Sequence, residues 1–221
     1  MFLQIEEKGG YLEALKGGLV QSQIKESASQ RRKALASRRE ILLGTNQYPN
    51  AQETMKAAVE PSKIAKKTQK TGLVEPIELF RSAEEFETLR LSVENAAKRP
   101  KVFMLTYGNL AMRLARSQFS GNFFGCAGYE IIDNLGFATI EEGVEAALKA
   151  KANLVVLCSS DEEYAEAAPA AFDKLAGKAI FVVAGAPACT DELKAKGIEN
   201  FINVKSNVLE TLQGFNKLLL F

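Results

Sequence analysis

Apolar and polar positions follow two different textures along this chain. From Lys101 onward, short apolar runs recur at residues 102–107, 128–132, 153–158, 178–183 and 200–204. Runs of this length, bounded by Gly, Pro, Asn or Ser, predict strands. The near-continuous apolarity of 153–158 is that of a strand buried on both faces. Helical spacing fills the gaps: from Gly108-Asn109 to about Asn122, from Thr139 to about Lys151, and from Ser159-Ser160-Asp161 to about Leu175. A short helix begins at Thr190 and a last one runs from Ser206 to the end. Thr139 and Glu142 have the spacing of a capping box. Five strands alternating with five helices over short loops predict an α/β fold, a five-stranded parallel sheet with helices on both faces. The common strand order for that count is 2-1-3-4-5.

The first hundred residues read as mainly helical and irregular. Tyr11, Leu12, Leu15, Leu19, Val20 and Ile24 fall at helical spacing, and the polar Arg31-Arg32-Lys33 follows. Residues 41–44 look strand-like and run into a turn at 46–50, whereas 63–70 are polar without an apolar face. A helix after Pro76 is expected to start at a Ser82/Glu85 capping box and to bury Phe86, Leu89 and Val93. Lys98-Arg99-Pro100 ends it and marks the boundary of the α/β domain.

Charge and composition narrow the chemistry. The chain of 221 residues carries a net charge of +1, which makes no case for nucleic acid or a membrane surface. Its first 70 residues hold thirteen basic side chains against seven acidic ones, read as a solvated linker region. No apolar run reaches the roughly 18 residues of a membrane span, and the N-terminus lacks a signal-peptide layout. Cys126, Cys158 and Cys189 show no metal spacing and suit a reducing cytoplasm; Cys126 and Cys158 are expected as buried apolar fillers. With no histidine in the chain, imidazole acid/base catalysis and histidine-ligated metals are excluded within it. No catalytic pair and no metal site emerge. Glu141-Glu142 and Asp161-Glu162-Glu163 read as first-turn acids complementing helix dipoles, and Tyr107 as an exposed residue at a strand end. In such sheets ligands bind beyond the carboxyl ends of the strands, which directs attention to 108–113, 158–161 and 184–189.

The run Gly108-Asn109-Leu110-Ala111-Met112-Arg113-Leu114-Ala115 stands where cobalamin-binding domains place an Asp-x-His-x-x-Gly motif. Residues 113–129, ending Gly-Asn-Phe-Phe-Gly-Cys-Ala-Gly-Tyr, resemble the small-subunit branch of bacterial methylmalonyl-CoA mutases, and the likeness extends over the whole chain. The resemblance implies a flavodoxin-like, cobalamin-binding-type domain at 101–221. It makes 1–45 similar to the last helical part of the family's acyl-CoA barrel and 46–100 similar to the linker. In cobalt-ligating members the histidine coordinates the metal, the aspartate orients that imidazole, and the glycine admits the nucleotide tail. Here Leu110, Met112 and Ala115 stand at those positions. Leucine accepts no hydrogen bond, a thioether is a poor substitute for imidazole, and the alanine methyl obstructs close approach. Leu110 and Met112, with Phe119, Phe123 and Phe124, are expected to fill the vestigial channel. Ser159 and Ser160 match the serine loop that contacts the cofactor tail in true binders, although a helix N-cap is the preferred reading. Gly185 matches a glycine loop for that tail, or equally a tight strand-to-helix turn. The resemblance therefore implies a non-catalytic subunit that binds no cofactor itself and pairs as a heterodimer with a homologous large subunit holding adenosylcobalamin. The alternatives are a module that holds cobalamin with its own base on cobalt, and a flavodoxin-like module for another small ligand or protein.

Overall fold

A computed structural model describes residues 2–57 and 72–220. Three helices lead the chain, α1 (Phe2–Glu7), α2 (Tyr11–Lys16) and α3 (Leu19–Ala36), followed by a single 3-10 turn at Met55–Ala57 and α4 (Glu84–Glu94). The α/β unit then runs β1 (Lys101–Thr106), α5 (Leu110–Gly125), β2 (Glu130–Ile132), α6 (Ile140–Lys149), β3 (Leu154–Cys158), α7 (Tyr164–Leu175), β4 (Ile180–Ala184), α8 (Thr190–Ala195), β5 (Phe201–Ile202) and α9 (Val208–Leu220). All strand pairs are parallel and their order is β2-β1-β3-β4-β5, the flavodoxin-like arrangement that the strand count predicts.

Period-two alternation divides the strand residues between two cores. Val102, Met104, Leu154, Val156 and Val182 face one side, where they meet Phe123, Phe124, Tyr129, Leu212 and Phe215 from α5, α9 and the turn before β2. Phe103, Leu105, Val155, Leu157 and Val183 face the other, against Val144, Ala147, Ala168, Ala171 and Leu193 from α6, α7 and α8. Phe86, Leu89 and Val93 of α4 join the first core, as their spacing predicts. Buried Asn216 reinforces that contact: its amide donates to Ser92 Oγ at 3.0 Å and its carbonyl accepts from Tyr129 Oη at 2.5 Å.

Several local expectations change. Gly9-Gly10 and Gly17-Gly18 divide the leading helical region into three pieces, and Tyr11 and Leu12 are exposed. Residues 41–44 form no strand, only an isolated bridge from Leu43 to Gln47. The buried Asn46 side chain takes over that backbone, accepting from Leu42 N at 2.8 Å and donating to Leu35 O and Glu40 O. The expected Ser82/Glu85 box is absent. α4 begins at Glu84 behind Ala83, and Glu84 bonds back to Arg81 N at 3.2 Å. The last helix starts at Val208 rather than at Ser206, and Asn207 caps it by accepting from Glu210 N at 3.2 Å. The Thr139/Glu142 pair does cap α6. The polar stretch 63–70 lies outside the described residues. Among the described residues no helix is long and apolar enough to cross a membrane.

Candidate functional site

β1 leaves the sheet at Thr106 and turns through Tyr107-Gly108-Asn109 into α5, where Asn109 Oδ1 caps the helix by accepting from Met112 N at 3.1 Å. Gly108 has φ +73°, which a side chain resists. The space above it is also taken: a Cβ on Gly108 would lie 2.1 Å from Glu163 Oε1. The Glu163 carboxylate is held there by two loops. It accepts from Asn109 N at 3.1 and 3.3 Å, from Ser160 N at 3.0 Å, from Ser160 Oγ at 2.9 Å and from Ser159 Oγ. Ser159 is fully buried, and its hydroxyl also lies 2.9 Å from Tyr107 O. Burial pushes the Glu163 carboxyl up, yet the bonds from Ser159, Ser160 and Asn109 together outweigh it and hold the group below the ordinary glutamate range.

That balance has a testable sign. A carboxyl with a lowered folded-state pKa contributes stability above its unfolded value, and the contribution is lost as pH falls through the lower folded value. The wild-type chain is therefore expected to exceed Glu163→Gln in urea midpoint at neutral pH, with the gap closing on acidification through that window. A pH-independent gap would show that the charge at this position is not the source.

Two further glycines at the strand ends border charged groups. A Cβ on Gly136 would lie 2.5 Å from Arg113 Cζ, whose guanidinium donates to Gly108 O at 3.2 Å and Leu135 O at 3.0 Å. One on Gly185 would meet the Tyr164 ring at 3.1 Å and Asp161 Oδ1 at 3.2 Å; Asp161 in turn pairs with Arg116 at 2.9 Å. Tyr164 is buried, donating to Ala184 O at 2.6 Å and accepting from Ser159 N at 3.1 Å, and burial raises its phenol pKa. What remains open is a groove of about 310 Å³ against Tyr107, Thr139, Ile140 and Ala167, with Glu141, Glu163 and Glu166 also on its wall. Acidic walls of this kind disfavour a phosphate-bearing ligand.

Leu110 and Met112 do not plug the crevice. They are 60% and 36% exposed, and Ala115 is exposed too, because the inward stripe of this half of α5 carries Arg113, Ser117 and Ser120 instead. Ser117 donates to Asp133 Oδ1 at 2.6 Å, so this stripe meets polar loop ends rather than sheet core. Phe123 and Phe124, one and more turns later, are buried, with Phe119 packed beside them. Neither Ser159 nor Ser160 caps α7, whose first residue is Tyr164 behind Glu163; both serines serve Glu163. Asp161, Glu162 and Glu163 accordingly precede the helix, whereas Glu141 and Glu142 do lie in the first turn of α6. Tyr107 is half-buried rather than exposed. Cys126 and Cys158 are buried, and burial raises both thiols, Cys158 to about 12.

The roles of Glu163, Arg113 and Arg116 escaped the sequence reading. One signal was present: Ser160-x-x-Glu163 has capping-box spacing, and Glu163 makes the reach-back bond of that motif to Ser160 N.

Residues 1–117, more than half of the chain, match the family model for methylmalonyl-CoA mutase. The chain belongs to the methylmalonyl-CoA mutase family. It is 57% identical over 216 residues to the methylmalonyl-CoA mutase small subunit of Porphyromonas gingivalis, an alignment covering 98% of this chain and 35% of that protein. It is 35% identical over 173 residues to the small subunit from Streptomyces virginiae, covering 76% of this chain and 27% of the relative. The small subunit from Propionibacterium freudenreichii is 29% identical over 166 residues, covering 75% and 25%. The chain thus spans about a quarter to a third of the length of these mutase relatives.

Proposed function

We propose that this chain is part of a non-catalytic small subunit of a methylmalonyl-CoA mutase, carrying a cobalamin-type domain that takes up no cobalamin. Residues 1–45 correspond to the end of the acyl-CoA barrel, 46–100 to the linker and 101–221 to the cobalamin-type domain. A homologous large subunit is its partner; that subunit holds adenosylcobalamin and interconverts methylmalonyl-CoA and succinyl-CoA by a radical rearrangement. The compartment is the cytoplasm, which suits three unpaired thiols.

One observation carries this reading: the space above Gly108, at the strand ends where the fold places ligands, holds the chain's own Glu163 carboxylate, fixed by donors from two loops. The donors that would meet a cofactor tail are thereby spent internally, and displacing the carboxylate would strand an anion in a partly desolvated place. Leu110, Met112 and Ala115 agree with it. Met112 offers no imidazole, and its side chain lies on the exposed side of α5. Arg113 closes the neighbouring approach over Gly136. A fold that keeps its packed sheet while its loops lose a ligand is physically ordinary, because stability resides in the core and binding in the loops.

The test is a titration of the purified chain with hydroxocobalamin and adenosylcobalamin, followed by absorbance and equilibrium dialysis. The expected result is no retention at micromolar cofactor. Stoichiometric binding would overturn the proposal, and a spectrum with the cofactor's own base on cobalt would establish the chain as a cobalamin module without a protein ligand.

A further inference from the structure

The segment 47–56 lies against α4 and the C-terminal end of α5, and none of its residues is buried. Its attachment is polar. Glu94 of α4 accepts from Met55 N at 3.0 Å and from Lys56 N at 2.9 Å. Arg90, one turn earlier, donates to Asn50 O at 2.9 Å and to Glu53 O, and it pairs with Glu94 at 3.1 Å. Arg99 donates to Ala51 O at 3.3 Å, and Asn122 of α5 accepts from Tyr48 N at 2.7 Å. The Arg90 and Glu94 side chains are only 5% and 9% exposed, so the segment covers a charged pair.

Packing beneath the segment is incomplete. A cavity of about 170 Å³ lies there, bordered by Glu53 and Met55 of the segment and by Phe86, Arg90 and Cys126. Pro49 rests on Gly125, where a Cβ would stand 3.0 Å from the proline Cγ. Cys126, the next residue, is 1% exposed, and Arg38 also touches its sulfur at 3.2 Å. The chain just before the segment is fixed: Asn46 is buried and bonded to Leu35 O, Glu40 O and Leu42 N.

Lifting such a segment uncovers little apolar surface and returns a guanidinium and a carboxylate to water. Both effects make local opening cheaper than unfolding of the whole domain. Cys158 is the contrasting thiol. It lies in the central strand β3, fully buried in the first core, where a reagent arrives only once the sheet comes apart.

We propose that residues 47–56 form a lid, hinged at Asn46 and latched by Arg90 and Glu94, which opens while the sheet stays intact and makes Cys126 a gated thiol. This device stands apart from the reading of the strand ends.

Slow alkylation by iodoacetamide, followed by mass spectrometry of tryptic peptides, tests it, because Cys126, Cys158 and Cys189 fall in separate peptides. Cys126 is expected to be alkylated at least ~10-fold faster than Cys158, at a rate that rises only weakly with urea below the unfolding transition. Glu94→Gln should speed Cys126 by at least ~10-fold, the factor for losing a bond to a charged group, and leave Cys158 slow. Asn122→Ala, which removes the bond to Tyr48 N, should speed Cys126 by a smaller factor, roughly 2- to 10-fold. Equal rates at Cys126 and Cys158 in the wild-type chain, with the same urea dependence, would show that only global unfolding frees either thiol and would overturn the lid; this comparison needs no variant to fold. Unchanged Cys126 alkylation in both variants, or equal acceleration of both thiols in Glu94→Gln, would overturn the latch.

Discussion

Phe124→Ala is expected to destabilise the chain by about 3–5 kcal/mol, the range for emptying a fully buried phenylalanine site. The ring is completely buried and central to one of the two cores. Its centroid lies 5.4 Å from Phe123, 6.0 Å from Tyr129 and 5.6 Å from Phe215, so it joins α5 to the turn before β2 and to α9. Neighbouring rings and sheet residues are themselves held by β1, β3 and β4, which limits collapse into the vacancy and adds the cavity cost to the lost transfer energy. Urea denaturation should show a lower midpoint with an unchanged m-value. A loss below about 1.5 kcal/mol would mean that the aromatic cluster can repack and that this core is softer than its burial implies. The same substitution at partly buried Phe119 should cost clearly less.

Gly108→Ala is expected to cost about 2–4 kcal/mol, from two sources that an experiment can separate. The first is backbone strain at φ +73°, roughly 1–2 kcal/mol for a residue with a Cβ. The second is displacement of the Glu163 carboxylate, 2.1 Å from the added methyl, which strips acceptors from Ser159, Ser160 and Asn109. A double-mutant cycle with Glu163→Ala isolates the second source. In that background Gly108→Ala should retain only the strain, giving a coupling of about 1 kcal/mol or more. Equal costs in both backgrounds would show that Glu163 does not occupy the space over Gly108, and the proposed function would lose its principal support.

The contrast between Phe124 and Leu110 shows where sequence reasoning holds. Both were read as filling from their apolar character, and only Phe124 is buried. Along α5 the inward stripe is Arg113, Ser117, Ser120 and Phe124. The stripe is apolar where it crosses the sheet and polar where it passes the loop ends. A rule that places apolar residues inside works against a sheet face, whose partners are hydrocarbon, and fails beside loop ends, whose partners are carbonyls and carboxylates. The Ser159 expectation failed for a related reason: a hydroxyl near a predicted helix start has several acceptors within reach, and here the tertiary neighbours Tyr107 O and the Glu163 carboxylate are the ones beside it.

By itself the sequence determined the α/β class, the five strands, the parallel pairing implied by alternating helices, and the mutase family. These follow from local periodicity and from residue runs whose meaning does not depend on distant neighbours. Only the tertiary structure decided what stands at the carboxyl ends of those strands. Asn109 and Glu163 are 54 residues apart in the chain, and they meet because β1 and β3 pair in parallel and deliver their following loops to the same edge. No spacing within either loop encodes that meeting. A carboxylate seated on a glycine by donors from two loops is a property of the assembled sheet, and the assembled sheet alone reveals it.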